Sequence, residues 1–197
     1  MKWVTRQNLH LDRVATPWLI VRFIDPDAEF VFVPWKEEHL APPEAIGFAI
    51  PGAELGPHDH DGPTFAKVMR KYELVDPALD RIAEVIEAGV AYVLEGYRPP
   101  ADDHAGQTAV GLLAFAEGVF LTHQTDPGIL AASFPVYDAL YANFKVLELL
   151  KSRKMEMPDD RDGRGPSKMF EGLRRLYNEA GEPTPYGPAT RLSDESQ

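Results

Sequence analysis

Residues 1–33, MKWVTRQNLHLDRVATPWLIVRFIDPDAEFVFV, decide the fold class of this chain. The stretch opens with residues 1–5, whose apolar and β-branched side chains are typical of a short strand. A mostly buried helix follows, and Thr16 and Pro17 are predicted as its N-cap and its first helical residue. Residues 28–33 alternate and are rich in Val and Phe, which predicts a second strand. A small sheet is therefore expected near the N-terminus.

The rest of the chain is predicted to be mainly helical. A weaker strand at residues 46–50 precedes a loop, 51–63, that is rich in Gly, Pro, Asp and His. Apolar residues then recur at helical spacing in four segments. These segments begin near Thr64, Asp76, Asp103 and Pro127, and Pro135 should kink the last of them or mark its true start. The predicted fold class is α+β, with a small N-terminal β-sheet, a mainly helical body and a C-terminal helical appendage.

Composition divides the chain after residue 151. Residues 152–197 hold eight Lys or Arg and nine Asp or Glu, a net charge of −1, which leaves −10 on residues 1–151. We predict a domain over 1–151 and an appendage over 152–197. The appendage would consist of an exposed linker at 157–166, one amphipathic helix and a Pro-rich end after Gly181. The apolar face of that helix would carry Phe170, Leu173, Leu176 and Tyr177.

The overall composition excludes several kinds of site. The 197 residues include 20 Lys and Arg against 31 Asp and Glu, a formal charge of −11, with six His and no Cys. Without Cys, any metal must be held by His, carboxylate, carbonyl or water. The negative charge argues against nucleic acid and anionic membranes as partners. We read no apolar run of about 18 residues and no signal peptide, so we expect a cytoplasmic protein.

The strongest local signal for chemistry is residues 54–62, ELGPHDHDG, with two imidazoles and three carboxylates before the final glycine. In an extended segment His58 and His60 point to the same side and could chelate one hard or borderline cation. The alternative is a solvated acidic loop that happens to contain His.

Two carboxylates lie in the predicted helices, and a further histidine follows one of these helices. Glu117 and Asp138 are surrounded by apolar residues, where a carboxylate is costly unless it meets a cation or several donors. Carboxylates on facing helices can build a metal site, or each can simply pair with an arginine. His123 follows the third helix, where it could be a ligand, a charge near a helix C-terminus or an exposed residue.

Arginines near the first strand and helix form a candidate anion site. Arg6, Arg13 and Arg22 lie near the first strand and helix, and an arginine next to a helix N-terminus could form a pocket for an oxyanion. The alternative is a structural ion pair with Asp12. The chain has no G-x-S-x-G elbow, no Walker A motif, no H-E-x-x-H motif and no G-x-G-x-x-G after a strand.

Six blocks of this sequence resemble the chromate-resistance family, specifically its ChrB C-terminal domain. The resemblance covers about residues 1–145, and its blocks are 1–6, 12–26, 28–34, 51–56, 64–65 and 137–141. The chain departs from the family where Thr16 and Thr64 stand at positions that often hold Cys. His58-Asp59-His60 is one residue longer than the family's adjacent His pair.

The resemblance implies metal chemistry of oxidative stress or of oxyanions. Full-length members that regulate chromate operons carry an extra N-terminal domain thought to bind DNA. We expect it to be lacking here, because the sequence begins at the family's Met-Lys-Trp motif. Some stand-alone relatives in such operons have been described as iron superoxide dismutases, and others have no assigned activity, so the resemblance does not fix the reaction.

We weighed three functions on these grounds. The first is a metal-dependent protein, expected to be an enzyme, with superoxide dismutase-like activity as one reaction. It would hold iron, manganese or zinc through His58, His60 or both, with a helix carboxylate such as Asp138 and with His123 as a further candidate ligand. The second is a non-catalytic module that senses or binds an oxyanion such as chromate or sulfate. The third is a scaffold that has kept the fold and lost the site. The expected partners are a small anionic ligand or substrate and no nucleic acid or membrane, and a homo-oligomer is compatible with the sequence.

Overall fold

A computed structural model describes residues 1–156 and 166–179 of the chain. It divides into two compact units, Met1–Tyr137 and Asp138–Gln197. Most of the predicted linker and the Pro-rich end after Gly181 lie outside the described residues. The elements, in chain order, are β1 (Lys2–Arg6), α1 (Asp12–Phe23), β2 (Glu29–Val33), a 3₁₀ turn (Glu38–Leu40), β3 (Ile46–Gly47), α2 (Thr64–Lys71), α3 (Pro77–Leu94), α4 (His104–Thr122), α5 (Asp126–Ser152) and α6 (Pro166–Glu179).

The three strands form a parallel sheet in the order β2-β1-β3, so the α+β prediction with an N-terminal sheet is confirmed. Trp3 of the central strand pairs with Phe30 on one side and with Ile46 on the other. Because all three strands are parallel, their carboxyl ends meet at one edge. Strand β2 lies on one side of β1, and β3, which comes later in the chain, lies on the other side of β1. The strand order therefore reverses between β1 and β3, which makes this position a topological switch point.

Helix α1 begins earlier than the sequence predicted. Its first residue is Asp12, and Pro17 lies inside the helix, so the assignment of Thr16 and Pro17 to its start was wrong. A proline on the second turn removes one N–H donor, and the first turn is closed by bonds such as Val14 N to Leu11 O at 2.9 Å. The hydroxyl of Thr16 caps nothing and donates instead to Asp12 Oδ1 at 3.2 Å.

Aromatic side chains pack α1 and α2 against each other and the first strand against its neighbours. The Trp18 ring stacks on Phe65 of α2 with centroids 6.5 Å apart. Trp3 meets Phe48 edge to face at 6.4 Å, and all four side chains are fully buried. Large aromatic groups bury the most area per residue, so they dominate this core.

Helices α3 and α4 pack against each other in the first unit. The predicted start of α3 is confirmed, because the Asp76 side chain accepts the Ala78 N–H at 2.8 Å with Pro77 in the first turn. Gly89 faces α1 so closely that a Cβ there would stand 2.8 Å from Leu11 Cδ2. This glycine therefore sets how near α1 approaches α3.

Helix α4 carries a single acidic residue and has a high mean hydropathy. The mean hydropathy of an 18-residue window within this helix is 1.3, and 28% of that window is buried. By length and composition the helix is therefore long enough and apolar enough to cross a membrane. Glycine, alanine and threonine between its larger side chains explain why no continuous apolar run marks it in the sequence. Core helices of soluble proteins pass the same test, so the property alone assigns no membrane.

Helix α5 is continuous from Asp126, nine residues before Pro135, so this proline does not mark its start. The second unit contains the later part of α5 and helix α6. Leu176 of α6 is buried with Val146 and Leu150, which confirms the predicted amphipathic helix. Phe170 departs from the predicted apolar face, since it is 59% exposed.

Candidate metal and anion sites

The His-rich loop leaves the sheet after β3 and is fastened to helix α2. The Thr64 hydroxyl donates to the Gly56 carbonyl oxygen at 2.9 Å. Lys67 Nζ donates to the Pro57 carbonyl oxygen at 2.7 Å. Gly62 has φ +91°, a left-handed conformation that suits glycine, and it pairs with Asp59 to close the end of the loop. The loop is therefore an ordered turn with fixed ends.

Three ligand-type side chains converge at the tip of this loop. One ligand atom each from Asp59, His60 and Asp61 lies within 4.8 Å of the others, and all three residues are exposed. Asp59 Oδ1 accepts the Asp61 N–H at 2.9 Å, which folds the tip into a tight turn. The hydrogen bond from Lys67 lowers the pKa of Asp59, so its carboxylate is ionised at neutral pH. Among the residues that the structure describes, this is the one group of its kind.

His58 does not belong to this group and has other neighbours. Its Nε2 is 3.8 Å from Glu95 Oε1 just beyond α3, and its side chain is 21% exposed. Its Nδ1 is buried without a hydrogen-bond partner within the described part of the chain. His60 is 88% exposed, with Nε2 3.5 Å from Asp61 Oδ2. The two imidazoles thus have different neighbours, although the sequence suggested one chelating pair.

The remaining metal candidates lie on the helices. His123 follows α4, and its Nδ1 is 3.0 Å from Thr122 Oγ1 and 3.1 Å from the Val119 carbonyl oxygen. Glu117 is exposed on α4. Asp138 is half-buried and opens the second unit. None of them belongs to the group at the loop tip.

Two of the three candidate anion-binding arginines, Arg13 and Arg22, contact other groups of the protein. The Arg13 guanidinium donates to the carbonyl oxygens of Arg6, Gln7 and Asn8 at 2.9 to 3.1 Å. It thereby fixes the backbone that leaves β1. Burial lowers the pKa of Arg13, and the neighbouring charge of Arg6 lowers it further. The Arg22 guanidinium carbon lies 5.7 Å from the ring centre of Phe134.

Asp12 joins two helices. Its carboxylate accepts the backbone N–H groups of Thr64 at 2.8 Å and Phe65 at 2.9 Å, at the start of α2. Burial raises the pKa of this carboxyl group, while those hydrogen bonds oppose the rise. The alternative role predicted for Asp12 was an ion pair with arginine. In the structure its hydrogen bonds come from α2 and from Thr16.

Arg6 lies at the carboxyl end of β1, next to the switch point of the sheet. Its Nη2 donates to the Ala49 carbonyl oxygen over a long 3.4 Å, and its Nε is 3.8 Å from Glu38 Oε1. The guanidinium carbon lies 4.0 Å from the ring centre of Trp35. The side chain is 11% exposed, and Nε has no hydrogen-bond partner among the described residues.

Sequence reasoning missed Trp35 and Glu38. The sequence contained a signal for Trp35, because this residue comes shortly after β2 and Arg6 ends β1. The carboxyl ends of neighbouring parallel strands share an edge, so these two residues could have been expected to lie close together. What the sequence alone did not supply was the parallel pairing of β1 with β2.

Comparison with known proteins supports the family resemblance that the sequence indicated. The family described as "ChrB, C-terminal domain" matches residues 3–144. The chain is similar to Protein ChrB of Cupriavidus metallidurans (strain ATCC 43123 / DSM 2839 / NBRC 102507 / CH34), with 35% identity over 146 residues. That alignment covers 73% of this chain and 40% of the relative, so the chain spans less than half of that protein. No solved structure matches the chain significantly.

Proposed function

The chain belongs to the ChrB C-terminal domain family of chromate resistance, and from that premise we propose that it is a metal-dependent enzyme. The ion would be held at the loop tip by Asp59, His60 and Asp61. The observation that supports this proposal is the convergence of their ligand atoms within 4.8 Å.

This donor set fits iron, manganese or zinc. Two carboxylates and one imidazole combine hard and borderline ligands, and three protein ligands leave coordination positions open. When bound, such an ion supplies Lewis acidity or redox chemistry to a small anion. Lys67, Arg70 and Lys71 line the same open pocket as Asp59 and Asp61. These cations would draw an anionic substrate toward the ion.

Metal content tests this function. Untagged protein, reconstituted with Fe²⁺, Mn²⁺ or Zn²⁺ and desalted, should retain one of these ions. His60→Ala should weaken metal retention by at least about tenfold. Loss of a residue that merely supports a metal ligand already costs about that much affinity, and loss of the ligand itself should cost no less. His39→Ala, the same change at an exposed histidine elsewhere, is the control. A wild type that stays metal-free would refute the proposal.

The choice between ligand sets is tested in the same assay. If the group at the loop tip is the site, Asp59→Asn with Asp61→Asn abolishes retention and His58→Ala leaves it within about twofold. Loss of metal in His58→Ala alone would favour the His-x-His pair instead. Superoxide dismutation by the loaded protein is the first reaction to assay.

Arg6 favours a second candidate function, the binding of a small oxyanion. A partly buried guanidinium at a switch point, with a buried Nε that has no hydrogen-bond partner within the described chain, can bind an anion. Titration calorimetry with sulfate and with chromate should detect binding that persists after chelation with EDTA. Arg6→Gln should abolish this binding while the far-ultraviolet circular dichroism stays unchanged. Binding that disappears with EDTA would assign the anion to the metal site.

A further inference from the structure

The carboxyl edge between β1 and β3 is where a parallel sheet of this topology binds ligands. Open α/β sheets take ligands in the crevice beyond the carboxyl ends of their strands, at the point where strand order reverses. Arg6 ends the central strand there, and Ala49 follows β3. Arg6 contacts the carbonyl oxygen of Ala49, so its guanidinium reaches from the end of β1 to the segment that follows β3.

The guanidinium of Arg6 is partly buried, and its hydrogen bonding is incomplete. A guanidinium paired with a carboxylate normally forms bonds of about 2.7–2.9 Å, often two in parallel. Here the Nε of Arg6 is 3.8 Å from Glu38 Oε1 and forms no hydrogen bond within the described residues. Arg13 adds a second positive charge nearby. The site therefore attracts an anion, and Glu38 occupies it without completing its hydrogen bonds.

The cover over the guanidinium comes from the segment after β2, residues 34–40. Backbone hydrogen bonds from Glu37 N to the Pro34 carbonyl oxygen and from Leu40 N to the Glu37 carbonyl oxygen lie within this segment. Trp35 is 65% exposed although it lies over Arg6. A segment held by its own short-range bonds, with an exposed aromatic ring, can lift as a unit.

We propose that this edge is an oxyanion site closed by the chain itself, with Glu38 in the place of the ligand's oxygens and Trp35 over the guanidinium. The proposal rests on the second candidate function above and adds its regulation. A tetrahedral oxyanion such as sulfate or chromate displaces the Glu38 carboxylate and takes the N–H groups of Arg6. The segment 34–40 then moves, so ligand binding is converted into a change at the protein surface.

Calorimetry with sulfate on matched variants tests this displacement. Glu38→Gln removes the competing charge and should bind sulfate about two- to fivefold tighter than wild type, the range expected for loss of a partly exposed ion pair. Glu37→Gln makes the same charge change at the neighbouring exposed residue and should bind like wild type. Equal binding by all three proteins overturns the closed site and leaves oxyanion binding intact. Absence of binding in all three overturns both.

Tryptophan fluorescence gives an independent measure of the movement. Trp3 and Trp18 are fully buried, so acrylamide quenching reports Trp35. Sulfate should increase quenching in the wild type, because Trp35 leaves the guanidinium, and should not do so in Trp35→Phe. Unchanged or decreased quenching at saturating sulfate would show that the cover stays in place and would overturn the proposal.

Discussion

At the scale of single residues, Asp12 shows how one carboxylate can join two helices. It stands in the first turn of α1, yet its oxygens accept the first N–H groups of α2, from Thr64 and Phe65. The free N–H groups of a helix start must find acceptors, and here the acceptor comes from 52 residues away. The buried charge is costly, but it meets three donors including Thr16.

Asp12→Ala should destabilise the protein strongly. Two buried N–H groups of α2 would lose their acceptor, so we expect the free energy of unfolding to fall by about 3 kcal/mol. Urea denaturation followed by circular dichroism measures this change. Asp27→Ala, at an exposed aspartate in the turn before β2, should change the same quantity by less than about 0.5 kcal/mol.

The pH dependence of stability should carry the signature of the same group. Burial raises the pKa of Asp12 above its unfolded value of 3.8, so the folded protein binds the proton more tightly. Its contribution to stability is therefore fully present below pH 3.8, and it is lost as the pH rises from there through the pKa of the folded state. The unfolding free energy of wild type minus that of Asp12→Asn should therefore decrease from pH 4 to pH 7. An increase of this signed difference over the same range would contradict the raised pKa.

At the scale of elements, two glycines inside neighbouring helices have opposite roles. Gly89 of α3 faces Leu11, whereas a Cβ at Gly111 of α4 would meet nothing within 4 Å. The first glycine permits close packing of α1 on α3. The second lies on the open side of its helix, where it only lowers helix propensity.

Alanine at these two positions should therefore shift stability in opposite directions. Gly89→Ala forces Leu11 to move in a filled core and should lower the thermal midpoint, at a cost of about 1–3 kcal/mol. Gly111→Ala should raise the midpoint, with a gain of up to about 1 kcal/mol. Differential scanning calorimetry on the two variants measures both. Equal losses would show that α4 also packs closely at Gly111.

The elements also show what sequence patterns can predict. The strands, the Asp76 start of α3 and the amphipathic α6 follow from local periodicity and capping, which the sequence displays directly. The start of α1 was misplaced because Asp12, its first residue, gives its carboxylate to another helix. The contact of Arg6 with Glu38 and the contact of His58 with Glu95 join segments that are distant in the sequence, and no local pattern encodes them.

At the scale of the whole molecule, the formal charge of −11 leads to a prediction about nucleic acid. Binding to DNA or RNA draws on Lys and Arg that displace counterions, and a net negative charge opposes it. In gel-shift experiments at low salt, the chain should therefore leave the mobility of duplex DNA unchanged at micromolar concentration. Retardation that disappears with added salt would reveal a basic surface and contradict this expectation.

The central place of β1 in the sheet has a consequence for how the chain folds. Trp3 pairs with Phe30 on one side and with Ile46 on the other, so β1 gains both neighbours only after two later segments of the chain have docked onto it. Pairings between distant residues slow folding, because the loop must close before the contact stabilises it. The helical hairpin of α3 and α4 closes over a short connection. Docking β3 onto β1 is therefore expected to limit the rate at which the first unit reaches its native state.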